Sequence, residues 1–531
     1  MSEASRLRLD HVPGLLAGAL VLVLGFDEGG FASASWVWSV VPLALVAGAL
    51  LAGLAARPSP MELWFLAVLA GLLVWTLVSS IWSLDPTGSV LDGERLLLYV
   101  SAAAAFVLLA RTGSRPGLLV GVLAAVAVLC IAGLADAAVG NDPIGVVTDD
   151  PGSDDRLAEP VGYANGMAVL AAMGTLLAVG LALPAPSRGL RAVCLALVPL
   201  FVATLYLTFS RGGWLALALG LLALLALRMG SLDRRIVLGV CAVLLVAVTA
   251  AGFAFARSFA APTATPAGGA ERLRTLSGSS RADYWRVALR AVEDEPLLGS
   301  GSGSYRRLWY RNRSEPQPAR DAHSLYLETL AELGPLGLLL LLAALGIPVA
   351  VAVGARADPL TAAALGPYVA FLAHTAQDWD WELPAVTVPA LVCAVALLLS
   401  ARRHWTPLGS VPRLVGGLAA LALAVLALTA YAGNRELALG ETGSERSARR
   451  AARLQPWSAE PWRVLGEAQL ERGELEAARA SFREGLSRDD GDWELWIDLA
   501  LASDGDARRA AFDRAVRLNP RDPDLPELRQ E

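Results

Sequence analysis

Long apolar runs separated by short polar segments make up most of residues 1–432. A run of about 20 apolar residues can cross about 30 Å of hydrocarbon as an α-helix, and a helix pairs its backbone polar groups within the segment. The pattern therefore predicts an all-α membrane bundle of twelve to thirteen spans. Thirteen runs are expected to span, at residues 12–26, 36–56, 61–82, 94–110, 117–139, 161–183, 190–209, 213–228, 235–256, 325–353, 360–376, 383–401 and 412–432.

The polar connections between these runs alternate in charge. Arginines collect in every second connection, as at Arg57, Arg111 and Arg188, whereas the others are acidic, as at Asp85 and Asp142. Because arginine-rich loops stay in the cytoplasm, the acidic connections are expected on the outer face of the membrane. An odd number of spans then predicts that the C-terminal tail also lies outside.

The composition narrows the function classes further. Apolar residues make up 55 % of the chain and charged residues 18 %, with a mean hydropathy of +0.51, a balance that is rare in soluble domains. The net charge of -6 indicates no partner by itself, and nucleic acid is not expected to be one. The four cysteines lie in apolar runs without C-x-x-C spacing, and the four histidines lack metal-ligand spacing. With no nucleotide-binding fingerprint either, the sequence predicts no metal, disulfide or cofactor.

Two outer connections break the general pattern. Residues 257–324 form one long loop, and Ser210–Gly213 forms a very short turn in which Arg211 violates the charge rule. The glycines beside Arg211 leave the backbone open to a close ligand, and an arginine fork suits a phosphate or pyrophosphate at headgroup depth. The alternative is an arginine that only anchors the helix end in the interface.

The long loop contains a second candidate arginine, Arg281. The segment from Ser280 to Asp283 is typical of a helix start. At helical spacing, Arg281 lies on one stripe with the apolar side chains of Trp285 and Val292. An arginine at this point is suited to an anion, although a surface arginine at a frayed helix end is equally compatible with the spacing.

Glycines and a histidine follow in the same loop. Gly299 and Gly301 allow a ligand to approach the backbone closely, or simply form a flexible turn. His323 stands where the loop re-enters the membrane, before a helix expected to run to Gly334. A neutral imidazole there could accept a proton from a hydroxyl near pH 7, whereas a helix-capping role is the alternative.

The tail, residues 433–531, is polar and repeats itself. The pattern of Trp462–Gly466 recurs thirty-four residues later in Trp496–Ala500. This period and pattern resemble the tetratricopeptide repeat. With about two units present, the tail is expected to dock on a partner protein or on the membrane domain, and a helical spacer is the alternative.

Several of these segments together resemble the O-antigen ligase and O-antigen polymerase superfamily. The order, spacing and common outer face of the motifs carry the resemblance, which covers roughly residues 160–345. The matching segments are Ser210–Gly212, Arg281–Trp285, Pro296–Gly301, His323–Gly334 and, without the usual proline, Tyr163–Gly166, which contains Asn165.

The resemblance implies a membrane glycosyltransferase that uses neither a metal nor a nucleotide sugar. Such enzymes take a glycan from a polyprenyl-pyrophosphate carrier and join it to a glycan, lipid or protein acceptor at the outer face of the cytoplasmic membrane. By this resemblance, Arg211 and Arg281 would hold the pyrophosphate, and His323 would orient or deprotonate the acceptor hydroxyl. Asn165, Gly299 and Gly301 would contribute to substrate binding.

Three other functions fit parts of the pattern. A polymerase would use a second lipid-linked glycan as its acceptor. A transporter or flippase would favour ionisable residues midway along spans, whereas the charges here gather near the outer ends. A non-catalytic scaffold would recruit envelope proteins through the repeats and would tolerate replacement of His323.

Overall fold

The computed structural model describes residues 3–53, 57–139, 156–185, 187–228, 281–314, 317–402 and 408–522. In these ranges the chain forms nineteen α-helices, a few short 3-10 turns and no β-strand. The helices are α1 (Glu3–Gly25), α2 (Ser33–Gly53), α3 (Pro60–Ser79), α4 (Pro86–Leu109), α5 (Arg115–Val139), α6 (Ala164–Ala182), α7 (Arg188–Leu207), α8 (Arg211–Arg228), α9 (Arg281–Asp294), α10 (Tyr305–Asn312), α11 (Leu325–Gly354), α12 (Pro359–His374), α13 (Pro384–Leu398), α14 (Ser410–Glu441), α15 (Glu445–Leu454), α16 (Glu460–Glu471), α17 (Leu475–Leu486), α18 (Trp493–Leu501) and α19 (Gly505–Leu518).

The all-α, polytopic class predicted from the sequence is confirmed. Eight described helices are long and apolar enough to cross a membrane: α3, α5, α6, α7, α8, α11, α13 and α14. Shorter apolar segments lie in α1 and α2, and α4 and α12 coincide with the remaining predicted spans. The predicted span at residues 235–256 lies outside the described residues.

Burial distinguishes central from peripheral helices. Almost every residue of α6 and most of α13 are buried, so these two helices form the middle of the bundle. In contrast, α14 exposes a stripe of large apolar side chains that includes Leu414, Leu418, Leu421 and Val425. Exposed leucine and valine are expected where a helix faces lipid.

The described part of the long loop folds into a small core of its own. Trp285 and Ala288 of α9 pack with Trp309 of α10 and with Ala331 at the start of α11. The opposite face of α9, including Arg286 and Arg290, is exposed. The apolar stripe predicted for this helix therefore exists.

The tail helices α15 to α19 pack each against the next in sequence. Phe482 of α17 fills the space left by Gly466 of α16, where a Cβ would lie 2.4 Å from its ring. Helix α14 runs without a break from the apolar run into the tail, and the expected domain boundary at residues 432–433 falls within it. Membership of the tetratricopeptide family stays a prediction.

Candidate active site

The carboxylate of Asp378, in the loop between α12 and α13, is the centre of the candidate site. Arg281 contacts its Oδ2 with Nη2 at 2.8 Å. Tyr163 donates a hydrogen bond to Oδ1 at 2.6 Å, and the Asn165 amide donates to Oδ2 at 2.7 Å. Asp378 is buried, so three chain segments distant in sequence meet on one desolvated charge.

The electrostatics of this network keep Asp378 ionised. Burial by itself raises the pKa of a carboxyl, but Arg281, His374, His323 and the Tyr163 hydroxyl together hold the pKa of Asp378 below its ordinary value. A lowered pKa indicates that the favourable charges outweigh the cost of desolvation. The charged form of Asp378 is therefore favoured, and it pairs with the Arg281 side chain.

Arg156 extends the network toward the end of α7. Its Nη2 donates to Asn165 Oδ1 at 2.6 Å, and its Nε donates to the Thr208 carbonyl at 2.8 Å. The Arg156 side chain is almost fully buried. Asn165 is thus held between an arginine and Asp378, which fixes the orientation of its amide.

The short turn between α7 and α8 packs on the same loop. The Ser210 hydroxyl accepts a hydrogen bond from Gly213 N at 3.2 Å, which closes the turn that begins α8 at Arg211. A Cβ on Gly212 would lie 3.1 Å from His374 Nε2 and 3.1 Å from Gln377 Nε2. The half-buried Arg211 therefore stands next to the polar end of α12.

His323 has an unusual backbone conformation. Its φ of 52° lies in the left-handed region, which costs energy for a residue with a side chain and often marks a functional position. Neighbouring hydrogen bonds hold the turn: Ala322 N donates to Glu328 Oε2 at 2.6 Å, and Leu325 N donates to the Thr375 carbonyl at 2.9 Å.

The side chain of His323 is oriented from two directions. Its ring stacks on Tyr284 of α9 with centroids 4.8 Å apart and planes 30° from parallel. Its Nδ1 lies 3.2 Å from the Asp321 carbonyl oxygen. Donation by Nδ1–H to that carbonyl favours the tautomer in which Nε2 is the basic nitrogen.

The glycine run lies apart from this network. Gly299 N donates to the Glu295 carbonyl at 3.2 Å, and Gly301 N donates to the Glu332 carbonyl at 2.8 Å. A Cβ on Gly301 would lie 2.3 Å from Ser83. Packing therefore explains both glycines, and their contact with a substrate stays a prediction.

Three acidic side chains form a second cluster beside His323. The carboxylate oxygens of Asp321, Glu328 and Glu382 lie within 4.8 Å of one another. Arg95 binds Glu382 at 2.8 Å and supplies positive charge there. Burial and the neighbouring Glu382 raise the pKa of Asp321 well above its ordinary value.

Sequence reasoning missed Asp378, His374 and Asp380 as site residues. His374 Nδ1 lies 2.9 Å from Asp380 Oδ2, and both side chains are fully buried. The available signal was the string of polar residues from His374 to Glu382 directly after an apolar run. On the outer face such a string resembles an ordinary acidic loop, and only the fold brings it to Arg281.

A comparison with family models matches part of the chain. A bundle of apolar helices with a polar site at one end indicates a multi-pass membrane protein. Residues 192–342 match the family model described as O-antigen ligase (Wzy_C). The match contains Arg211, Arg281 and His323, and it supports an enzyme of the ligase or polymerase type in envelope polysaccharide assembly. No curated protein matches the chain.

Proposed function

We propose that this protein transfers a glycan from a polyprenyl-pyrophosphate carrier to a hydroxyl of an acceptor. The observation that carries the proposal is the Asp378 carboxylate, which binds Arg281 and whose pKa is also lowered by His323, a histidine in a strained turn. The match of residues 192–342 to the O-antigen ligase model supports the same reaction class. The donor and acceptor meet where the polar network reaches the end of the bundle.

Arg281 is suited to bind the pyrophosphate. Asp378 engages one of its terminal nitrogens, while its Nε is buried with no hydrogen-bond partner among the described residues. About 25 % of the Arg281 side chain is exposed, so the other donors can reach a ligand.

The reaction breaks the bond between the anomeric carbon of the glycan and the pyrophosphate oxygen. Arg281 and Arg211 stabilise the negative charge that develops on the departing pyrophosphate. The acceptor oxygen forms the new bond to the anomeric carbon, and its proton passes to Nε2 of His323. Polyprenyl pyrophosphate leaves with the electron pair of the broken bond.

Replacement of His323 tests the base assignment. We expect His323→Ala to lose about 10² to 10⁴ in rate, and His323→Gln to be nearly as slow because glutamine binds a hydroxyl but cannot take its proton. The assay uses purified protein and the lipid-linked glycan that accumulates in cells lacking it. Released polyprenyl pyrophosphate and the thermal stability of each variant are measured together.

The matched control is Arg290→Gln on the exposed face of α9, which should keep the wild-type rate. A His323→Gln variant that works near the wild-type rate would contradict the base assignment. If His323 only caps α11, glutamine should retain activity and alanine should lower stability by about 1 kcal/mol. The mass of the product shows whether the acceptor is a second lipid-linked glycan, as in a polymerase.

A further inference from the structure

Arg307 of α10 lies in a buried cluster of charges that joins the long loop to the tail. Its guanidinium contacts the carboxylate of Asp489, and it lies 3.4 Å from Asp492 and 3.7 Å from Asp85. Only 10 % of the Arg307 side chain is exposed. Since removing one partner from a buried ionic cluster leaves an uncompensated charge, this cluster resists separation of α10 from the tail.

The rest of α10 also faces the tail. One tilted ring contact and two polar contacts flank the Arg307 cluster. They are Arg306 Nη2 with Glu494 Oε1 at 2.5 Å, Tyr310 with Trp493 at 5.5 Å between ring centroids, and Arg313 Nη2 with Asn519 Oδ1 at 3.0 Å. The tail thus holds α10 along its length, from Arg306 to Arg313 directly after its end.

The other side of α10 supports His323. The Tyr305 hydroxyl donates to the Tyr284 carbonyl at 2.8 Å. The Trp309 ring meets the Tyr284 ring edge-on with centroids 4.7 Å apart, and Tyr284 in turn stacks on His323. Tyr305 and Trp309 are almost fully buried, so a displacement of α10 would displace the ring on which the histidine rests.

We propose that the tail is part of the transfer machinery and that Arg307 is a positioning residue for His323. The inference rests on the proposed function, because it assigns the tail a role in the step that His323 performs. The docked tail fixes α10, α10 fixes the Tyr284 ring, and this ring sets the direction of the imidazole. Arg307 itself touches no reacting atom.

The test compares Arg307→Gln with Arg307→Lys and with Arg311→Gln in the full-length protein in lipid nanodiscs. Arg311 is exposed on the same helix and serves as the control. We expect Arg307→Gln to lower kcat by up to about 10²-fold, the effect of misplacing a reacting group by about 1 Å, with little change in KM for the lipid-linked glycan. Arg307→Lys should recover part of kcat, and Arg311→Gln should match the wild type.

A double variant shows whether Arg307 acts through His323. In the His323→Gln background, where the base is already lost, Arg307→Gln should cost little further rate, because residues that act as one unit are not additive. Rate losses that multiply in the double variant would overturn the positioning role. So would an Arg307→Gln variant with the wild-type kcat.

Asp492→Asn provides the same test if Arg307→Gln does not fold, because it removes one charge of the cluster and preserves shape. The proposal is supported if Asp492→Asn lowers kcat in the wild type but has little effect in the His323→Gln background. Rate losses that multiply overturn it. Failure of the proposed function can be distinguished from failure of the positioning role, because His323→Gln alone would then retain the full rate. If the rate losses multiply in the double variant and His323→Gln alone is slow, only the role of the tail is contradicted.

Discussion

At the scale of single residues, the contacts of the Asp378 carboxylate organise the candidate site. Asp378 accepts hydrogen bonds from Tyr163 and Asn165 and contacts Arg281. A guanidinium held from one side presents its remaining N–H groups in a fixed plane, which suits the oxygens of a phosphate. We therefore expect the carboxylate to influence the proposed reaction through Arg281 and the two side chains to behave as a unit.

A double-mutant cycle tests this coupling. Arg281→Ala should lose about 10² to 10³ in transfer rate, as expected when a donor to developing charge is removed. Asp378→Asn should lose less, because Arg281 is still present but no longer held. The double variant should be no slower than Arg281→Ala alone. Losses that multiply would show that Asp378 acts independently, and Arg281→Lys should recover only part of the rate.

Three residues of the candidate site were predicted from the sequence, and the failure to predict the others has a physical reason. Arg211, Arg281 and His323 were predicted because each stands in a local pattern that is unusual for its place. Asp378 has no such local signal, since its partner Arg281 lies 97 residues away. A single sequence does not reveal which acid of an outer loop is buried against which arginine.

At the scale of structural elements, two breaks in regular structure pack against each other. Helix α11 is interrupted at Gly334, with a φ of 65°, where a Cβ would lie 2.3 Å from the Leu297 carbonyl oxygen. The glycine run packs against the same helix through Gly299 and Gly301. The sequence indicated turns at these glycines but not their partners, because close packing of two backbones leaves no periodic pattern.

Gly301→Ala distinguishes packing from ligand binding. The φ of 91° at Gly301 and the 2.3 Å distance from a new Cβ to Ser83 predict strain of about 1–3 kcal/mol. We therefore expect a lower unfolding temperature with an unchanged KM in the protein that remains folded. Gly354→Ala, with open space around its Cβ, is the control. A raised KM at normal stability would instead favour contact with substrate.

The tail contains a carboxyl whose ionisation opposes folding. Burial raises the pKa of Asp498 on α18 to about 8, with a contribution from Glu467 and opposition from Arg463. Its unfolded pKa is near 3.9, so the folded tail binds the proton more tightly. The stability from this proton is present at low pH and is lost as pH rises toward and through 8.

Asp498→Asn should therefore stabilise the tail at pH 8 and remove part of its pH dependence. Thermal unfolding of the full-length protein between pH 5 and pH 8.5 measures both effects. The exposed Asp506→Asn on α19 is the control and should leave the profile unchanged. A wild-type unfolding temperature that is constant over this pH range would refute the assignment.

At the scale of the whole molecule, the contacts determine which helix ends lie together. The starts of α6, α8 and α11 and the end of α12 meet at the candidate site. The end of α14 lies at the same end of the bundle, because Asn434 donates to Glu94 of α4 at 3.0 Å and the adjacent Arg95 binds Glu382 beside the site at 2.8 Å. The tail therefore lies at the same end of the bundle as the site, and the outer location of both stays a prediction from the loop charges.

The opposite end of the bundle carries arginines. Arg57, Arg188, Arg228 and Arg356 lie at or beside helix ends remote from the site. Helix α8 starts at the site and, at 1.5 Å per residue, carries Arg228 away to this other end.

The last prediction concerns the orientation of this bundle in the membrane. If arginine-rich loops stay inside, the site and the tail face outward, and alkaline phosphatase fused after Glu531 should be active. A fluorescent protein fused after Arg228 should fold in the cytoplasm.

In intact cells, an impermeant maleimide should label Asp506→Cys, whose side chain is 95 % exposed, whereas Arg57→Cys should react only after permeabilisation. The described native cysteines are buried and should give a low background. Labelling of Arg57→Cys alone would place the site on the cytoplasmic face and contradict transfer at the outer surface.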